Sequence, residues 1–205
     1  HMPGSYSIWL DGLPVFGGWI ADDKVPVYLV LEQPTDVKEA ALHLQRIGVD
    51  NIRGVLAGGF EGWRDAGREI SMSGTLSVNS DALQDKRTAI LDVREITEFE
   101  EGHIRGSRHA YVGFIPDVGT IGRQLDRKQA VAVTCSVGHR ASLAVSMLLR
   151  MGFTKVFNLL GGMTAWNKLG KPVVTGPDAA HTLDRKILQR GISNEAAAKA
   201  VRAST

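Results

Sequence analysis

QAVAVTCSVGHRASLAVSMLLRMG, Gln129 to Gly152, is the stretch whose reading decides the fold. It opens on an unbroken apolar run that ends at Thr134, the pattern of a short strand buried on both faces. Leu143, Met147, Leu148 and Met151 then recur at helical spacing, and Gly152 ends the run as a left-handed cap would. Upstream, TAILDV (Thr88 to Val93) is a second buried-strand pattern. After it, TEFE (Thr97 to Glu100) has the capping-box form in which a threonine and a glutamate satisfy free amides at a helix start. Strand, helix, strand, helix implies an α/β fold with a parallel sheet covered by helices on both sides. Such sheets bind ligands at the carboxyl ends of their strands.

The same order occurs earlier in the chain. RIGVDNIRGVLAGGFEGWRDAGREI (Arg46 to Ile70) is answered by RMGFTKVFNLLGGMTAWNKLGKPV (Arg150 to Val173), VPVYLVL by QAVAVTC, and HMPGS at the start by HIRGS at His103 to Ser107. The offset stays between 102 and 104 residues, a register that chance similarity would not hold. In the first copy Val37, Ala40, Ala41, Leu44 and Ile47 form the helical stripe before Gly48. The expectation is two domains of one kind, at 1–72 and 73–176, with SMSGTLSVNSDALQD leading into the second. A tail at 177–205 follows the TGPDAA linker, and its NEAAAKAVRA is helical by propensity. The second copy has about 25 residues before its HIRGS that the first lacks. The opening HM resembles a cloning scar, yet it falls where the repeat places a histidine and an apolar residue. The first domain is therefore expected to be truncated, the chain being a fragment without that domain's opening strand and helix.

Composition narrows the function classes. With 43% hydrophobic and 22% charged residues the chain reads as a globular protein, and no apolar stretch approaches the ~20 residues of a membrane span. A net charge of +2, with basic and acidic residues interspersed, offers no footprint for nucleic acid. The chain has one cysteine, so it forms no internal disulfide, and its six histidines lie too far apart for a metal site. Most of those histidines read as surface or loop residues, and no metal or cofactor is expected. With no cationic, apolar leader in view, a reducing, cytoplasmic location is the expectation. Trp9, Trp19, Trp63 and Trp166 read as packing in a core or between domains.

The chemistry centres on Cys135, placed where a strand ends and a helix begins. Ser136, Val137, Gly138 and His139 must wrap from one to the other, and Gly138 frees the backbone to curl. Amide N–H groups and a helix N-terminus then converge on one spot, an anion cradle around a sulfur. Comparable surroundings lower a cysteine pKa from ~8.5 to ~3.5–7.5, which makes the thiolate a nucleophile at neutral pH. Arg140 closes the loop, where its guanidinium either binds an incoming anion or braces the loop.

LDVREITEFEEGHIRGSRHA, CSVGHRAS and LLGGMTAWNKLGKPV together resemble the rhodanese (sulfurtransferase) domain, with Cys135, Gly138 and Arg140 matching its CxxGxR signature and Asp92 to Glu95 its DVRE. The resemblance covers about Val78 to Val174. It implies a cysteine that takes the outer sulfur of thiosulfate or a thiol persulfide, holds it as a persulfide, and passes it to a thiol or cyanide. Ser136, Val137, Gly138, His139 and Arg140 would bind substrate, with His139 at the pocket rim, and Asp92 and Arg94 would support the loop or form an ion pair at the sheet end. The first copy, through GSYSIWLDGLPVFGGWIADDKVPVYLVLEQ, is similar to the inactive repeat of fusions between a metallo-β-lactamase-fold domain and tandem rhodaneses. That likeness implies an upstream domain of that kind as a partner, and a persulfide of a low-molecular-weight thiol as donor.

Two other readings stand beside it. Cysteine phosphatases also hold a thiolate in an amide cradle with an arginine, but five residues separate their Cys and Arg and only four do so here. A non-catalytic interaction module is the second reading, and the first copy illustrates it. There Leu31 replaces the cysteine, Glu32 and Asp36 bring negative charge, and Pro34 removes an N–H donor.

Overall fold

The computed structural model describes residues 1–115, 121 and 125–176. The expected tail helix at 177–205 lies outside the described residues. Five strands form one parallel sheet in the spatial order β3-β7-β6-β4-β5. They are β3 (Gly74–Leu76), β4 (Thr88–Asp92), β5 (Arg108–His109), β6 (Ala130–Thr134) and β7 (Val156–Leu159). Successive side chains of a strand point to opposite faces, and the apolar runs are sorted accordingly. Ala89 and Leu91 of β4 and Val131 and Val133 of β6 enter one core cluster, whereas Ile90 and Ala132 enter the other. Both faces are thus dry, as the unalternating runs predict.

The first face is covered by a helix over His139–Arg150, whose Leu143, Ala144, Met147 and Leu148 are buried against the sheet. Gly152, at φ 87°, ends it. The Gly152 N–H donates to Leu149 O at 3.0 Å and the Phe153 N–H to Leu148 O at 3.1 Å, the paired bonds of a Schellman cap. The opposite face is covered by Met163 and Trp166 of a helix over Gly162–Lys168.

A smaller parallel pair, β1 (Val27–Leu29) and β2 (Ile52–Val55), occupies the first part of the chain. Helices α1 (Leu13–Phe16), α2 (Val37–Arg46) and α3 (Gly59–Asp65) accompany it, and Leu13, Leu29, Ala40, Leu44 and Val49 form its core. With α4 (Ile96–Glu101), the helices over His139–Arg150 and Gly162–Lys168 become α5 and α6. Local geometry recurs between the two parts. Gly48 caps α2 with the same two bonds, Gly48 N–H to Gln45 O and Val49 N–H to Leu44 O. Gly58 and Gly59 open α3 at φ 74° and 57°, as Gly161 and Gly162 open α6 at 73° and 53°. Trp63 Nε1 donates to Glu69 O and Trp166 Nε1 to Pro172 O.

The start of the chain is fastened to α5. The Ser7 N–H donates to Ser146 Oγ at 2.9 Å, Ser7 Oγ meets Ser142 Oγ at 2.9 Å, and the Arg150 guanidinium lies 4.6 Å over the Tyr6 ring. Phe16 is buried in the same cluster as β4, β6 and α5.

Two expectations are corrected. The capping box of α4 begins at Glu95, two residues before Thr97. The Glu95 carboxylate accepts from the backbone N–H at position 98, and the Glu95 N–H donates to the Glu98 carboxylate at 3.1 Å. Thr97 lies within the first turn. His103 and His109 are not surface histidines. Each is only 1% exposed, with its ring packed on Phe99 at centroid distances of 3.7 and 4.8 Å, and their Nδ1 and Nε2 meet the carbonyls of Phe99 and Arg94. Among the described residues no helix is long and apolar enough to cross a membrane, and no three His, Cys, Asp or Glu side chains cluster as metal ligands would.

Candidate active site

Cys135 directly follows β6, and Gly138, at φ 117°, turns the chain into α5. That φ lies in the region glycine enters most readily, so the turn requires this residue. The turn aims the Gly138 N–H at Cys135 Sγ, 3.0 Å away. Cys135 is 1% exposed and lines a cleft of about 180 Å³. The Gly138 N–H is the one loop amide, among the described residues, bonded to the sulfur, and the α5 N-terminus directly beyond it adds partial positive charge. Helix α6 anchors the loop from below, its Met163 and Thr164 N–H groups donating to the carbonyls of Cys135 and Ser136 at 2.8 and 2.9 Å. This approach is possible because position 162 has no side chain. A Cβ there would stand 2.2 Å from the Cys135 carbonyl oxygen.

The structure joins Ser136 and Arg140 to a residue that the sequence did not single out. Glu98 of α4 accepts from Arg140 Nη1 at 2.6 Å and Nη2 at 2.9 Å, and from Ser136 Oγ at 2.8 Å. Arg140 Nη2 also donates to Ser136 Oγ at 2.7 Å. The Arg140 bonds hold the Glu98 carboxyl at about 2, overriding the opposing effect of burial, with Ser136 and the Glu95 N–H helping. The same contact raises the Arg140 guanidinium above its ordinary value against the opposing cost of burial. These bonds tie Arg140 and Ser136 of the loop to α4.

Asp92 and Arg94 lie at the end of β4, where Asp92 is paired in register with Thr134, the residue before Cys135. Arg94 Nε and Nη2 donate to the Asp92 carboxylate at 2.9 and 2.7 Å, and Nη2 also reaches Gly102 O at 2.8 Å. Both side chains are buried, and neither lines the cleft. They tie the strand end beside Cys135 to the end of α4.

The cleft is walled by Trp9, Phe16, Val137, His139 and Arg140. His139 lines the cleft with its ring stacked on Trp9 at 5.1 Å and 27°. Trp9 and Phe16 were not expected in the site. Their distance in sequence from Cys135 hides them, and a tryptophan before a buried glycine is no site signal by itself.

The corresponding turn of the first part keeps the helix approach but lacks the thiol, the amide and the guanidinium. Leu31 occupies the place of Cys135 and packs against the smaller core. The approach of the next helix is preserved, since a Cβ on Gly59 would stand 2.5 Å from Leu31 O. At the position of the sulfur-binding amide is Pro34, which has no N–H, and at that of Arg140 is Asp36.

A model of the rhodanese-like domain matches residues 76–169. The chain is 34% identical over 85 residues to a thiosulfate sulfurtransferase, GlpE, of Stutzerimonas stutzeri, covering 42% of this chain and 75% of that protein. It is 35% identical over 82 residues to a putative sulfur carrier protein, YrkF, of Bacillus subtilis, covering 40% of this chain and only 43% of that relative's length. The crystal structure of a rhodanese-related protein from Thermoplasma volcanium is 28% identical, with a TM-score of 0.43 over 49% of this chain and 97% of that one.

Proposed function

The chain belongs to the rhodanese family, and from that premise we propose that it is a sulfurtransferase whose Cys135 carries sulfane sulfur between two small molecules. The observation that carries this reading is the 3.0 Å bond from the Gly138 amide to Cys135 Sγ in the lining of an open cleft. A donor amide at a helix start stabilises negative charge on sulfur, bare or extended by a second sulfur. The names of two relatives, a thiosulfate sulfurtransferase and a putative sulfur carrier, point to the same chemistry.

The Cys135 thiolate attacks the outer sulfur of the donor. A new S–S bond forms at Cys135 as the donor's S–S bond breaks, and sulfite or a thiolate leaves with the electron pair. An acceptor thiolate or cyanide then attacks the outer sulfur of the Cys135 persulfide and releases the Cys135 thiolate. Ser136, Val137, Gly138 and His139 shape the pocket, Arg140 holds the loop through Glu98, and Asp92 with Arg94 fixes the strand end. We include low-molecular-weight thiol persulfides beside thiosulfate among the donors, a reading supported by the resemblance of the first part to an inactive repeat. We read 1–72 as a degenerate repeat without transfer chemistry, given Leu31, Pro34 and Asp36, and 73–176 as the active copy. A lone reactive thiol suits a reducing compartment such as the cytoplasm.

Intact-mass measurement after treatment with thiosulfate or glutathione persulfide tests this. The protein should gain one sulfur atom, lose it to cyanide, and gain none as Cys135→Ser. Hydrolysis of an aryl phosphate without sulfur uptake would replace the reading with a phosphatase.

A further inference from the structure

Two of the residues that wall the cleft, Trp9 and Phe16, come from outside the part that matches the rhodanese-like domain. Trp9 stacks on His139 at 5.1 Å and packs on Phe16 at 5.2 Å, so its indole joins the smaller part of the chain to the rim of the Cys135 cleft. Its position is built. Gly12 has an ordinary φ of −84°, and what requires a glycine there is space, because a Cβ would stand 2.6 Å from the indole. Ser7, two residues earlier, is bonded to Ser142 and Ser146 of α5. The ring is therefore held against the helix that presents the cysteine.

Charge in the cleft complements this apolar wall. Arg140 is already bonded twice by Glu98, and Glu95 adds a second carboxylate whose field reaches the same guanidinium. A dianion such as thiosulfate meets a cation that is already neutralised. A donor with one charge and an organic substituent meets Trp9, Phe16 and Val137. A phenyl ring fits the space, the cleft's volume of about 180 Å³ exceeding the roughly 150 Å³ that holds a benzene molecule in a dry protein cavity.

The geometry points to Trp9 as the specificity-determining residue of the site, selecting sulfur donors with a flat apolar group next to the sulfur over thiosulfate. This rests on Cys135 as the sulfur acceptor. An aryl thiosulfonate is the probe. The Cys135 thiolate attacks its terminal sulfur, the S–S bond forms at Cys135, and the S–S bond to the sulfonyl sulfur breaks to release an aryl sulfinate with the electron pair.

The experiment compares kcat/KM for benzenethiosulfonate and thiosulfate, with cyanide as acceptor, in the wild-type chain, Trp9→Ala and Trp9→Phe. In Trp9→Ala the ratio of the two should fall about tenfold, the size of one aromatic contact, through a higher KM for the aryl donor. Trp9→Phe should retain most of it. An unchanged ratio, or equal loss with both donors, overturns the assignment. A measurement on the unaltered protein guards against a variant that fails to fold. Benzenesulfinate should inhibit the thiosulfate reaction about tenfold more strongly than methanesulfinate, and equal inhibition overturns the assignment. Should no donor place sulfur on wild-type Cys135, it is the transferase reading that fails; should loading proceed with a donor ratio indifferent to Trp9, only the wall does.

Discussion

Glu98 and Arg140, 42 residues apart in sequence, are joined by two charge-assisted bonds of 2.6 and 2.9 Å beside the cysteine loop. The Glu98 carboxyl is held at about 2 in the folded chain, against an ordinary 4.5. A carboxyl with a lowered folded pKa contributes stability that is complete above its unfolded value and is lost as pH falls through the folded one. Wild type should therefore exceed Glu98→Gln in stability by a constant margin above about pH 5, on the order of 1–3 kcal/mol for charge-assisted bonds. The margin should close between about pH 4.5 and pH 2. Urea denaturation of both proteins across that range measures it, and a margin independent of pH would contradict the pairing.

Asp92 and Arg94 make a buried pair joined by bonds of 2.9 and 2.7 Å. Asp92→Ala leaves a guanidinium buried with its carboxylate removed, at a cost of about 3–5 kcal/mol. Replacing both, as Asp92→Leu with Arg94→Met, should recover part of that loss because no buried charge remains. Denaturant midpoints of the single and double variants decide it.

Glycines with positive φ should separate by what surrounds them. Gly152 has nothing within 4 Å of its absent Cβ, so Gly152→Ala should cost only the left-handed backbone penalty of about 1–2 kcal/mol and leave sulfur loading intact. At Gly162 a Cβ would press on the Cys135 carbonyl oxygen from 2.2 Å. Displacing that loop by about 1 Å should slow loading on the order of 100-fold. Single-turnover loading followed by mass measurement compares the two.

Restoring sulfur to the first part should not restore chemistry. In a Cys135→Ser background, Leu31→Cys would place a thiol beside Pro34, which cannot donate, and Asp36, which carries the wrong charge. No sulfur uptake is expected from thiosulfate in an intact-mass assay. Uptake equal to that at Cys135 would remove the amide from the explanation.

The strand, loop and helix around Cys135 were legible because each is punctuated locally, by an unbroken apolar run, by Gly138, and by Gly152 in its cap. The sheet followed from the same signals, since Ala89, Ile90 and Leu91 face alternate sides with no polar interruption. Glu98 was not legible, because its role depends on Arg140 and Ser136 arriving from another element. The start of α4 was misplaced by two residues because Thr97 and Glu95 both precede an acidic residue at capping distance. His103 and His109 were misread for a similar reason, their burial being set by the Phe99 ring and by carbonyls that only the folded chain brings near. Trp9 became a cleft wall through contacts with His139, more than a hundred residues away.

That Cys135 is the single cysteine of these 205 residues bears on the order of steps in the proposed transfer. On the proposed transfer reaction, a sulfur loaded on Cys135 would find no resolving thiol within these residues and would wait as a persulfide until a second molecule entered the space the first had vacated. Double-reciprocal plots at several acceptor concentrations should then be parallel, the signature of a ping-pong shuttle that never holds donor and acceptor together.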